Sequence, residues 1–277
     1  MSLHVLPAGV LSHPTGVSIG SIRASRVFTW DATISTTAQT IANQETSPAD
    51  GEDQTTYDVQ NGSSTDSDSR DVTYVSTSGE EFYKSASSSA LDYLTMEGFK
   101  TTTAFTHSLH KDDAQFTIEI GYFHAGVAAG GYLVSTAEDT NDTGISVNVN
   151  GSEKIKVFCH RGTNGSYAGE QEAAAVLPDG FSHILIVIDE GVTNGSFYYV
   201  NGSVTDTFTL TYSSPSTGDS TYNWHWLTSL LDGNTGAPRF GLHTGAGVGY
   251  FAVYNKEISS SEATVLYDNS PTRFQTA

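Results

Sequence analysis

A single cysteine, Cys159, is all that 277 residues hold, so no disulfide can form within the chain and its stability needs no oxidising compartment. Basic residues are scarce too: 12 Lys and Arg stand against 31 Asp and Glu, a net charge of −19. Like-charge repulsion over the surface argues against nucleic acid and anionic membrane as partners. No apolar run approaches the roughly 20 residues that cross a bilayer, and Met1 to Pro7 contains no Lys or Arg, so neither a membrane span nor an export leader is expected. Cys159 sits in the β-patterned run KIKVFCH and reads as a small buried hydrophobe, because Arg161 alone does not make the cationic surroundings of a reactive thiolate.

What the chain has in abundance is turn chemistry between alternating runs. The triplet Asn-Gly-Ser occurs at Asn61, Asn150, Asn164, Asn194 and Asn201. Without an export leader these read as turns rather than glycan acceptors, and the two-residue type I′ hairpin, with positive φ at both central positions, is expected at Asn150-Gly151 and Asn201-Gly202. Around them AQFTIEIGYF, GYLVST, ISVNV, SEKIKVFC, GFSHILIVID, SFYYV and SVTDTFTL read as strands. RFGLHTG and GVGYFAVYN read as the last two. Helical spacing of Trp226, Leu227, Leu230 and Leu231 predicts a short amphipathic helix over residues 220–233, and Ser259-Ser260-Ser261-Glu262 matches the capping box of another ending near Tyr267.

Residues 44–81 differ in composition. Ten acidic side chains from Glu45 to Glu81 are interrupted by one cation, Arg70, with Ser, Thr, Asn and Gly between them. Such a stretch buries little apolar surface and is expected to be loop-like, while VFTWDAT upstream reads as one strand. Residues 1–81 are therefore read as an N-terminal arm and acidic loop-rich extension, and residues 82–277 as the folded domain.

The pieces from Phe82 to Asp268, in their order, resemble a concanavalin A-like jelly roll and, within it, the laminin G-like domains. The residues that carry the resemblance are FTIEI (116–120), DGFSHILIVID (179–189, including His183), FYYVNG (197–202), RFGLHTG (239–245) and GYFAVYNKEISSSEATVLY (249–267). It implies an all-β, two-sheet antiparallel sandwich. Similar domains occur in virion proteins of tailed bacteriophages, in adhesins and in glycan-processing enzymes.

Catalytic signals are weak. Jelly-roll glucanases carry carboxylates at Glu-x-Asp-x-x-Glu spacing on one strand. Here Glu119 stands alone, with Gly121 and His124 at the other positions, and reads as an outward polar residue. Gly16-Val17-Ser18-Ile19-Gly20 matches a nucleophile elbow without its strand and helix. His107, His110, Asp112 and Asp113 read as a solvated turn rather than a transition-metal site. Oxygen ligands on loops at Asp66, Asp68 and Asp71, and at Glu138, Asp139 and Asp142, make calcium the one cofactor to consider. For glycan stacking the candidates are Tyr222, Trp224 and His225, then Tyr167. The expectation is a non-enzymatic virion protein of a tailed phage, a capsid decoration, fibre or tail appendage folded in the host cytoplasm and displayed outside. The extension would bind other virion proteins or drive self-association, for instance as a trimer, and the sandwich would face a cell-surface glycan. The alternative is a bacterial carbohydrate-binding lectin or adhesin module.

Overall fold

The computed structural model describes residues 17–33, 40–62, 71–77, 80–85, 92–96, 105–126, 130–137, 142–162, 167–220, 224–228 and 241–271. Two eight-stranded antiparallel sheets pack face to face as a jelly-roll sandwich. In the first, β14 (Ser203–Phe208), β13 (Ser196–Val200), β12 (Gly180–Asp189), β7 (Gln115–His124), β16 (Gly247–Tyr254), β5 (Glu80–Lys84) and β4 (Thr73–Thr77) follow in order. β1 (Arg26–Asp31) pairs with the later half of β16, beyond β5. The second runs β11 (Tyr167–Val176), β10 (Lys154–Arg161), β9 (Thr143–Val149), β8 (Gly131–Ser135), β15 (His225–Trp226), β6 (Leu94–Met96), β3 (Val59–Asn61), β2 (Thr40–Ile41). Among the described residues, no helix is long and apolar enough to cross a membrane.

Alternate side chains of each strand fill the space between the sheets: Phe116, Ile118, Ile120 and Tyr122 from β7 meet Ile145, Val147 and Val149 from β9 in one apolar cluster. The first sheet is also covered outside. Helix α1 (Ile19–Arg23) and helix α2 (Ser260–Asp268) lay Ile22, Ala263, Val265 and Leu266 on Leu185, Val187, Tyr199 and Tyr254. Burial on both faces explains why ILIVI in β12 is continuously apolar rather than alternating. α2 begins at the expected capping box: Ser259 accepts from Glu262 N, and the Glu262 side chain accepts from Ser259 N.

Four expectations are corrected. The segment before residue 82 is not an arm: β1 to β4 belong to the two sheets, and Phe28, Trp30, Ile41, Tyr57 and Val59 are wholly buried in the common core. Its polar side chains are consumed locally, as where Asn43 accepts from Thr29 N and Glu45 N. Residues 224–228 are not helical, because Trp224 and Trp226 both enter the core as alternate residues of an extended segment that β15 pairs between β8 and β6. Of RFGLHTG, the described residues Gly241 to Gly245 form no strand, although Leu242 N donates to Leu227 O at 2.7 Å. At Asn201-Gly202 both φ values are positive, 51° and 75°, as type I′ requires. At Asn150 they are not: the positive φ of 61° is at Glu153, and the Asn150 side chain accepts from Ser152 N and Lys154 N, an Asx turn in a longer loop.

Candidate functional site

The outer face of the second sheet is built from the residues of β8 to β11 that alternate with the core positions. Across it Tyr132 pairs with Asn148, Asn148 with Lys156, and Lys156 with Glu172, while His160 pairs with Tyr167. The Tyr167 ring lies over Phe158, centroids 4.7 Å apart, and edge-on to His160 at 5.2 Å. It therefore stands as a held platform rather than a free side chain. The Tyr132 and Tyr167 hydroxyls hydrogen-bond each other, and burial above all raises the Tyr132 phenol.

Both tyrosines line a cleft of about 560 Å³, together with Asn148, Val149 and Asn150. Asn148 Oδ1 is buried and accepts no hydrogen bond, which leaves it an acceptor for a ligand hydroxyl. A wall of the cleft requires glycine: a Cβ on Gly131 would come within 2.5 Å of Gly241 O. Two half-buried aromatic rings, an amide and exposed backbone are the elements that hold a sugar, ring face for its C–H patches and polar groups for its hydroxyls.

Of the glycan candidates from the sequence, Tyr167 is thus in a cleft. Trp224 is 1% exposed, edge-on to Phe28 and Phe251 and stacked with Trp226, so no ligand can reach its ring. His225 is buried with its ring against Tyr93 and Nε2 3.3 Å from Thr95 Oγ1. Tyr222 lies outside the described residues, as do Asp66, Asp68, Glu138 and Asp139. Asp71 and Asp142 are described on separate segments, and the described residues contain no group of three or more metal-ligating His, Cys, Asp or Glu side chains. Sequence reasoning missed Tyr132 and Asn148. The alternation in GYLVS and ISVNV marks them as outward residues, but nothing in sequence says that the two strands are neighbours.

Two further readings change. Glu119 does point outward from β7, yet it is buried under the layer of α1 and α2. His183 Nε2 donates to its Oε1 at 2.7 Å, and the hydroxyls of Tyr254 and Tyr250 donate to Oε2 at 2.6 and 3.2 Å. Burial alone would push the carboxyl up, but these donors hold it below the ordinary carboxylate value. His107 and His110 are buried rather than solvated, donating to Ser220 O and Gly218 O, and burial lowers both imidazoles. Cys159 is buried as expected, its thiol raised first by burial. Ser18, the centre of the elbow-like motif, caps α1 by accepting from Ser21 N.

No family model and no curated protein sequence matches the chain. Solved structures do. A botulinum neurotoxin type C structure, described in terms of cell entry dependent on two ganglioside molecules, superposes with TM-score 0.58 and 13% identity over 91% of this chain and 52% of that one. The binding domain of botulinum neurotoxin DC in complex with rat synaptotagmin II gives 0.59 and 12% over 89% and 52%. A Trypanosoma rangeli sialidase in complex with sialic acid gives 0.56 and 11% over 96% and 36%. This chain thus spans about half the length of the toxin chains and about a third of the sialidase. At such identities the likeness is one of fold.

Proposed function

We propose that this chain is a glycan-binding, lectin-like module, and that the cleft lined by Tyr132 and Tyr167 holds the sugar. The observation that carries the reading is the pairing of two anchored tyrosine rings with the unsatisfied Asn148 Oδ1 over a glycine-shaped wall. The neighbouring folds described with gangliosides and sialic acid give the same reading a context. A non-catalytic role is supported by Glu119, whose carboxylate is satisfied by three protein donors and has no second carboxylate on its strand. The test is a glycan array run with calcium and with chelator. Binding to a defined set of glycans is expected, and Tyr167→Ala should weaken it about tenfold, the loss of roughly 1.4 kcal/mol of stacking and contact. Silence of the intact chain, or full binding by both Tyr132→Ala and Tyr167→Ala, would overturn the assignment. Dependence on calcium would bring the loops of Asp71 and Asp142 into the site.

As to where the module works, display on a tailed-phage particle remains our proposal. The chain's single cysteine and net charge of −19 support it, since both suit folding in a reducing cytoplasm and solubility outside. Antibody labelling of purified particles would test it.

A further inference from the structure

On the opposite side of the sandwich, a second pocket of about 550 Å³ opens over the outer face of the first sheet, between β1, β16 and the end of α2. Its lining is mostly polar, with Ile19, Leu266 and Pro271 the apolar exceptions. Arg23 and Arg26 reach it from α1 and β1, Gln44 from the segment after β2, Tyr250 and Tyr254 from β16. Glu119 forms part of its floor and Asp31 part of its wall.

Most cations with a described partner pair with a carboxylate. Lys111, Lys154, Lys156 and Lys256 each face a carboxylate, Asp219, Glu172, Glu170 and Glu262 in turn. Arg26 commits its Nε to Glu45 at 2.8 Å, and among the described residues its terminal nitrogens make no hydrogen bond to protein. Arg23 is exposed and makes no ion pair among the described residues. Both guanidinium groups lie close enough to Tyr250 to act on its phenol electrostatically. Gln44 Nε2 is buried and has no hydrogen-bond partner, although a buried amide donor costs free energy when it is left unpaired. In a protein of net charge −19, unused guanidinium N–H groups beside an unpaired amide donor form a local anion site.

The same pocket offers acceptors. The Tyr250 and Tyr254 hydroxyls both donate to Glu119, and of the two only Tyr250 is half-buried rather than fully buried, so its oxygen is the acceptor a ligand can meet. Asp31 Oδ1 is turned to Thr33 N and Oγ1, at 2.8 and 2.9 Å. A bare anion would lie beside the carboxylates of Asp31 and Glu119. A ligand that carries hydroxyls as well as one anionic group satisfies both sets.

We propose that this pocket binds an acidic sugar unit, its carboxylate or ester oxyanion on Arg23, Arg26 and Gln44, and its hydroxyls on the Tyr250 oxygen and Asp31. The site is separate from the Tyr132–Tyr167 cleft and does not depend on it. The experiment is calorimetric titration of the full chain with N-acetylneuraminic acid, glucuronic acid, glucose 6-phosphate, glucose and inorganic phosphate. At least one acidic sugar should bind while glucose gives no heat, and the carboxylate and phosphate arms tell the two anion sources apart. Arg23→Ala should weaken binding about tenfold, as expected for one charge-assisted contact. Because Arg23 is exposed and makes no ion pair among the described residues, this variant should melt with the wild type, and Tyr250→Phe supplies a second probe inside the pocket. Tyr167→Ala should leave the affinity within twofold, which separates this site from the cleft. The proposal is overturned if no acidic sugar binds, or if Arg23→Ala binds as tightly as the wild type. Inorganic phosphate binding as well as the best sugar would reduce the pocket to a bare anion site and overturn the sugar assignment.

Discussion

Glu119 shows how one residue can be polar, outward-pointing and yet structural. Its carboxylate stays charged beneath two helices because His183, Tyr254 and Tyr250 all donate to it. Glu119→Ala would strand three buried donors, and a loss of about 3 kcal/mol in urea unfolding is expected. The pH dependence has a defined sign. The carboxyl is held below its ordinary 4.5 in the folded state, so the stabilisation is complete above that pH and is lost as pH falls through the lower folded value. Unfolding free energies of wild type and Glu119→Gln at pH 6 and pH 3.5 should therefore diverge less at the acid end. Outwardness was legible in the alternation of FTIEI. The cover of α1 and α2 was not, since its residues lie about a hundred positions before and more than a hundred after in sequence.

Among the elements, the hairpin from β13 to β14 is the one that local chemistry dictates most directly. Asn201 and Gly202 both take positive φ, and the Asn201 side chain accepts from His183 N at 2.9 Å, which ties the turn to β12. A Cβ at Gly202 would approach the Tyr267 ring to 2.8 Å. Gly202→Ala should cost about 1–2 kcal/mol through strained backbone and displaced ring, read as a lowered midpoint of thermal unfolding. The neighbouring turn at Asn194-Gly195 looks the same in sequence but lies in a longer connection, with positive φ at Gly191 and Asn194 and not at Gly195. Similarly, WHW fits a helical stripe and a strand equally well over three residues, and the choice fell to the vacancy between β8 and β6 that β15 fills.

For the molecule as a whole, the decisive feature is that the acidic, loop-like first third is woven into both sheets. Trp30 packs edge-on against Trp226 and Tyr83 and stacks with Phe251, joining β1 to the last strand of the chain. Removal of residues before Phe82 would strip β1 to β4 and open the core that Phe28 and Trp30 fill. The truncated chain is expected to be insoluble or to lack a cooperative transition by near-UV circular dichroism. A soluble, cooperatively melting fragment would contradict this account.

By itself the sequence determined the class of fold, most strands from β7 onward, the Asn201 hairpin and the capped helix α2, because each rests on contacts between residues close in sequence or on a period of two. It also placed Tyr167 among the ligand candidates. Only the tertiary structure decided that Trp224 is core, that Tyr132 and Asn148 stand beside Tyr167, and that Arg23 and Arg26 share a pocket with Tyr250 and Tyr254. Those outcomes depend on which strands become neighbours across long separations, and composition carries no record of that pairing.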